Sequence, residues 1–128
     1  MGNTLIKTFK DLIVWQKAFG LSVEIYCLSS EFPRHELFGL ASELRKTSRS
    51  IAYNIAEGYK RWSTVEYIRF LRISAGSAAE LETQVLLADR LGYSPKDAAR
   101  RIGEMLSEIV RMLDALIRSL KSRLNPNR

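Results

Sequence analysis

From Leu12 to Leu120, apolar residues recur at three- and four-residue steps, and the residues that stop helices fall largely between the runs. That period marks helices with one buried face, and no segment shows the two-residue alternation of a strand. Breakers are scarce, with only seven glycines and three prolines. A first helix is expected from about Asp11 to Ser30, capped by Asp11, with Leu12, Trp15, Phe19, Ser22 and Tyr26 facing inward. Glu31-Phe32-Pro33-Arg34 ends it, because proline disfavours helix in the residue before it. A second helix is expected from about Glu36 to Glu57. Its inner stripe is Leu37, Leu40, Leu44, Ser48, Ile51 and Ile55, and Gly58 suits a left-handed C-terminal position.

Ser63-Thr64-Val65-Glu66 fits a capping box, in which serine oxygen and glutamate carboxylate each satisfy a free N–H, so it opens a third helix. Tyr67, Phe70, Leu71, Ser74, Ala78, Leu81 and Val85 point inward, and Gly92 ends it. Ser94 is expected to cap the fourth helix, with Pro95 at the first helical position, where its missing N–H costs nothing. Ala98, Ile102, Met105, Ile109, Leu113, Leu116 and Leu120 line one side of this helix, and Arg100, Arg111 and Arg118 the other. Helices of about 20 to 28 residues joined by loops of about five or fewer predict an all-α, up-down-up-down antiparallel four-helix bundle. The bundle is expected to be a single domain over residues 1–128, with an N-terminal arm at 1–10 and a frayed tail at 124–128.

With 46% hydrophobic residues, the chain can fill a core. No stretch approaches the roughly 18 apolar residues of a spanning helix, so no membrane association is expected. Residues 1–10 have no signal-like apolar region, and the lone Cys27 excludes an internal disulfide. Together these features indicate a cytoplasmic, reducing setting. The net charge of +6 favours anionic partners.

The first and third helices carry more apolar surface than a monomer needs. Ile13, Val14, Leu21 and Leu28 lie away from the Trp15 stripe, as do Ile73, Leu86 and Leu87 from the inner face of the third helix. Such an excess points to self-association, and the small residues from Ser74 to Ala79 would let another helix approach closely. The other reading places these side chains at bundle edges beneath the loops.

Catalytic chemistry finds no foothold. His35 is the single histidine, so paired Glu-x-x-His motifs of a di-iron bundle cannot form. Cys27 has no histidine at a useful spacing, no glycine-rich phosphate loop appears, and Glu80 and Glu82 diverge on a helix. Asn54 and Glu57 read as structural residues at the turn between the second and third helices. The expectation is no enzyme, no metal and no cofactor. Basic residues are more suggestive. Arg45, Lys46 and Arg49 lie on or beside the outer face of the second helix, with Tyr53 opposite the core. Lys60 and Arg61 follow beside Trp62, and Arg69 and Arg72 point outward from the third helix. Cations interleaved with aromatics can hold phosphates and stack bases. The competing reading is a solvated face with local ion pairs, such as Glu43 with Lys46. For Arg100, Arg101, Arg111 and Arg118 the solvated reading is favoured.

An ordered series of short motifs carries a family resemblance. It runs through Phe9-Lys10-Asp11-Leu12, Val14-Trp15-Gln16-Lys17-Ala18, Glu31-Phe32-Pro33 and Phe38-Gly39-Leu40. The longest member is Ser50-Ile51-Ala52-Tyr53-Asn54-Ile55-Ala56-Glu57-Gly58. Phe70-Leu71, Gly76-Ser77, Glu80-Leu81-Glu82-Thr83-Gln84 and Leu91-Gly92-Tyr93 complete it. In order and spacing these resemble the small four-helix-bundle proteins first noticed as reading frames within intervening sequences of bacterial large-subunit ribosomal RNA genes. The resemblance covers about residues 7 to 120. It implies a ring-like homopentamer. It also implies kinship with the accessory variability determinant of diversity-generating retroelements, a basic pentamer that works with a reverse transcriptase and binds nucleic acid. Ala52 and Tyr53 depart from the family's central motif, where a small polar residue is common. The functional expectation is a non-enzymatic, homo-oligomeric, pentameric four-helix bundle whose basic surface binds RNA or DNA by multivalent electrostatic contact. The alternative is a protein scaffold, such as an accessory subunit docking a reverse transcriptase.

Overall fold

The structure is a computed structural model that describes residues 5–125. Four helices form the fold: α1 (Ile13–Ser29), α2 (Leu40–Tyr59), α3 (Thr64–Arg90) and α4 (Ala98–Leu124), of 17, 20, 27 and 27 residues. Single 3-10 turns at Phe9–Asp11 and Arg34–Glu36 precede α1 and α2, and no strand occurs among the described residues. Of the expected arm, residues 9 and 10 belong to the first turn, and residues 1–4 lie outside the described residues. Of the expected tail, Leu124 still belongs to α4, and residues 126–128 lie outside the described residues.

Consecutive helices run antiparallel. Ser50 meets Ser77, Ile51 meets Ser74, and Gly58 meets Tyr67 and Phe70, so position falls along α3 as it rises along α2. Lys17 with Glu108 and Glu24 with Arg101 show the same relation between α1 and α4. Each helix therefore touches two neighbours around one core. Leu21, Ile25, Leu44, Ile51, Ile55, Leu71, Leu81, Ile102, Ile109 and Leu113 are the large side chains sealed at its centre.

The α2–α3 seam is built for close approach. A Cβ on Gly58 would lie 2.8 Å from the Phe70 Cβ and 3.1 Å from a Tyr67 ring carbon. Gly58 is therefore a buried crossing point inside α2, and the expected left-handed terminus is not there; α2 continues through Tyr59. Nearby polar groups are matched. The Ser74 hydroxyl donates to the Ile51 carbonyl at 2.8 Å, Ser50 and Ser77 share a 2.8 Å hydrogen bond, and the Asn54 amide donates to the Ser50 carbonyl at 2.8 Å. Buried hydroxyls paired in this way avoid the penalty of lost hydration.

Several local expectations are corrected. The core face of α1 is Val14, Ala18, Leu21, Ile25 and Leu28, whereas Phe19 and Tyr26 are exposed. Helix α1 is apolar nearly all round, so periodicity alone does not choose a face. The small aliphatic stripe packs inward, and the aromatics stack on each other at the rim, with Phe9–Trp15 and Trp15–Phe19 centroids 5.2 and 5.1 Å apart. Asp11 does not cap α1, because its carboxylate turns back to accept the Lys7 and Thr8 N–H groups at 2.9 and 3.0 Å. These two bonds hold its pKa below the ordinary carboxylate value. Leu37 is exposed in the turn before α2. In α3, Ile68, Ser77, Gln84 and Ala88 join the buried set, while Tyr67 and Phe70 are half-buried. In α4, Leu106 and Ile117 take the buried places expected of Met105 and Leu116, which flank them. Ser94 does not cap α4. The helix starts after Asp97, in a left-handed conformation at φ 72°, and the Ser94 hydroxyl is buried without a hydrogen-bond partner. The connections at residues 30–39 and 91–97 are longer than expected, and only residues 60–63 form a short turn.

Glu36 joins the two longer connections. One carboxylate oxygen accepts the Leu40 N–H at 3.0 Å, capping α2, and the other accepts the Tyr93 hydroxyl at 2.9 Å. Gly39 leaves room for this, since a Cβ there would come within 2.6 Å of the same carboxylate. The Leu40 N–H, and after it the Tyr93 hydroxyl, hold the Glu36 pKa below its usual 4.5.

Two measurements check these assignments. Gly58→Ala should lower unfolding stability by about 1–3 kcal/mol through overpacking, read by denaturant titration. A depressed folded-state pKa means that Glu36 stabilises the fold fully above its unfolded value near 4.5 and loses that contribution as pH falls through the folded value. Glu36→Gln should therefore lower Tm at pH 7, with the gap to wild type narrowing as the pH falls below 4.5.

Candidate nucleic-acid interface

The seven basic residues singled out in the sequence do not form one patch. Arg45, Lys46 and Arg49 lie in the first half of α2, while Lys60 and Arg61 lie in the 60–63 turn and Arg69 and Arg72 in the first third of α3. From Arg45 to Lys60 the helix axis rises about 22 Å at 1.5 Å per residue.

In the first group, two of three cations are already engaged. The Arg45 guanidinium donates to the Ser29 hydroxyl at 2.8 Å and sits 5.0 Å from the Tyr26 ring centroid. It thus ties α2 to the end of α1. Arg49 donates to the Tyr26 hydroxyl at 2.6 Å. Lys46 is exposed and makes no ion pair among the described residues; the anticipated pair with Glu43 does not form.

The second group is richer in available charge. Arg61 pairs with Glu57 at 2.8 Å and Arg69 with Glu66 at 3.0 Å, and both guanidiniums lie over the Phe70 ring, 4.7 and 4.5 Å from its centroid. The Arg69 hydrogen bond lowers the Glu66 pKa. All four charged partners are substantially exposed, so these pairs contribute little stability and exchange readily. Lys60 and Arg72 have no acidic partner among the described residues. Chain topology adds two cations that sequence reading missed. Lys121 lines a groove of about 370 Å³ together with Arg72, Val65, Ile68 and Leu124. Arg123 lies near enough to Tyr67 to oppose the effect of burial, which raises that phenol's pKa to about 12. Only the antiparallel return of α4 brings these residues to the turn, and nothing local to either segment signals it.

Three of the α4 arginines have nearby partners, whereas Arg118 makes no ion pair among the described residues. Arg100 pairs with Glu104 at 3.1 Å, Arg101 with Glu24, and Arg111 donates to the Ser107 hydroxyl at 2.8 Å. Asn54 bonds within α2, and Glu57 reaches across the turn to Arg61. His35 stands 4.0 Å from Glu36, and no group of three or more His, Cys, Asp or Glu converges among the described residues. Among the described residues, no helix is long and apolar enough to cross a membrane.

A separate apolar surface lies between α1 and α2. Phe19, Val23, Tyr26, Ala52 and Tyr53 line a groove of about 350 Å³, and Tyr53 is 64% exposed. On α3, Ile73, Leu86 and Leu87 are likewise exposed. The surplus apolar surface expected from the sequence is present, although on α1 Val14, Leu21 and Leu28 are core and Phe19, Val23 and Tyr26 take their place outside.

The division between engaged and available cations is directly testable. Arg45→Ala should cost about 1–2 kcal/mol of stability through its lost hydrogen bond and ring contact. Lys46→Ala should stay within about 0.5 kcal/mol of wild type, as exposed substitutions do. Parallel denaturant titrations distinguish the two.

The fold and the motif series meet in the comparisons with known proteins. A crystal structure of a protein of unknown function from the S23 ribosomal protein family of Bacteroides thetaiotaomicron superposes with a TM-score of 0.77 at 24% identity, covering 83% of this chain and 96% of that one. At that identity the likeness is one of fold. Comparison with curated proteins finds no match. The family model of the 23S rRNA-intervening sequence protein matches residues 10–115, from the first turn through most of α4. The chain belongs to the 23S rRNA-intervening sequence protein family.

Proposed function

We propose that this protein is a non-enzymatic, homo-oligomeric bundle that binds nucleic acid by multivalent electrostatic contact. The observation that carries the reading is the gathering of Lys60, Arg61, Arg69, Arg72, Lys121 and Arg123 at one end of the bundle. Against them stand Glu57 and Glu66, each already held by an arginine. Exposed cations with exchangeable partners suit a phosphate backbone, which displaces weak ion pairs and releases its own counterions. The apolar groove of Phe19, Val23, Tyr26 and Tyr53 supports assembly, because exposed apolar surface of this kind marks association sites. A pentamer, as the family resemblance implies, would repeat the basic end five times and turn weak contacts into avidity. A cytoplasmic setting suits such a role.

The test titrates the purified protein against a labelled structured RNA and a sequence-matched DNA at two salt concentrations. Affinity should fall steeply with salt, and Lys60→Ala, Arg72→Ala and Lys121→Ala should each reduce the salt slope by about one. Lys46→Ala should change it little. Light scattering on Tyr53→Glu should show a smaller particle. No binding at low salt by an assembled oligomer overturns the nucleic-acid reading. That result would favour a protein scaffold, such as a subunit docking a reverse transcriptase in the manner of the retroelement accessory proteins.

A further inference from the structure

Trp62 is fully exposed, with a relative accessibility of 104%. Tryptophan is among the side chains with most to gain from burial, so complete exposure calls for a partner or an indifferent fold. The fold makes no use of this ring. The 60–63 turn is closed by backbone bonds, with the Arg61 N–H donating to the Gly58 carbonyl at 3.1 Å. Its helix start is capped by the Ser63 hydroxyl, which accepts the Glu66 N–H at 3.2 Å. Trp62 pairs with no other aromatic ring among the described residues. The ring nevertheless stands on a short, well-tied turn, so little freedom is lost when it binds.

Its surroundings identify the chemistry. Lys60 and Arg61 precede it, and the guanidiniums of Arg61 and Arg69 lie over Phe70, nearly two helical turns into α3. A groove carrying Arg72 and Lys121 begins at Val65. An aromatic face beside a track of cations suits a strand whose bases are unpaired and whose phosphates run along the charges. A duplex hides its base faces and offers only phosphates to the same charges.

We propose that Trp62 is a base-stacking residue and that the basic end of the bundle selects single-stranded nucleic acid, RNA or DNA, over duplex. The proposal rests on the nucleic-acid reading above and adds strand state to it. RNA and DNA share the stacking and phosphate chemistry invoked.

The experiment uses the full-length protein with three labelled probes: single-stranded homopolymer RNA, single-stranded homopolymer DNA, and a blunt duplex of equal charge. Affinity is read by anisotropy. In a Trp15→Phe background, fluorescence reports Trp62 alone, since the chain has two tryptophans. Both single strands should quench that fluorescence and bind more tightly than the duplex. Trp62→Ala should weaken single-strand binding by about tenfold, leaving duplex affinity unchanged, and Trp62→Phe should restore most of the loss. Preference for one single strand shows whether the sugar adds to the stack. Equal binding of all probes, unaffected by Trp62→Ala, overturns the stacking proposal while leaving the electrostatic reading intact. Absence of binding to every probe by both proteins overturns both. A smaller particle for Trp62→Ala in light scattering assigns the ring to a contact between copies, which also overturns the proposal.

Discussion

The close crossing of α2 and α3 is the contact on which the rest of the molecule is arranged. It depends on Gly58, where no side chain larger than hydrogen fits against Phe70 and Tyr67. It also depends on Ser50, Ser74 and Ser77, whose small hydroxyl-bearing side chains find partners across or within the seam. Small residues bring the backbones close, and proximity lets Ile51, Ile55, Leu71 and Leu81 close the core from both sides. Helices α1 and α4 then cover the hairpin, held by their own aliphatic stripes. The interior tolerates this mix of serine and isoleucine because each of these hydroxyls is paired, whereas an unpaired one would cost about 1–3 kcal/mol.

The same crossing explains where charge collects. A seam that brings Tyr67 and Phe70 against Gly58 places the start of α3 beside the end of α2. Arg69 and Arg61 therefore share the Phe70 ring although they come from different elements. The far end of the bundle is organised differently. There Glu36 is a fixed anion, capping α2 and holding Tyr93, and the surrounding loops are tied by hydrogen bonds. One end is thus braced by a hydrogen-bonded carboxylate, and the other carries Lys60 and Arg72 without acidic partners among the described residues.

Much of this architecture was legible in the sequence, with an informative boundary. Helix α4 has a narrow apolar stripe and charges opposite, so Ile102, Ile109, Leu113 and Leu120 identified the buried side without structural help. Helix α1 carries two stripes, one aliphatic and one aromatic, and only packing volume decides between them. Ala18 and Leu21 are sealed in the core, Trp15 packs against its edge, and Phe19 is exposed. Gly58 illustrates a different limit. A glycine near a helix end reads as a terminator, and its use as a crossing point depends on a residue twelve positions later, Phe70. The candidate site divides likewise. Exposed cations such as Lys60 and Arg72 are recognisable locally, whereas Arg45 becomes a structural tie only when Ser29 arrives beside it, and Lys121 joins the site only through the return of α4.

The 60–63 turn has a consequence of its own. Its structural work is done by backbone bonds, the Ser63 cap and the exposed contacts of Arg61 with Glu57 and Phe70, while Lys60 and Trp62 extend outward from it. Substitutions at such exposed positions usually change stability by less than about 0.5 kcal/mol. The turn is therefore a place where sequence can drift or be rewritten at little risk to folding. The bundle behaves as a chassis with an exchangeable tip, whose residues can change while the frame is kept.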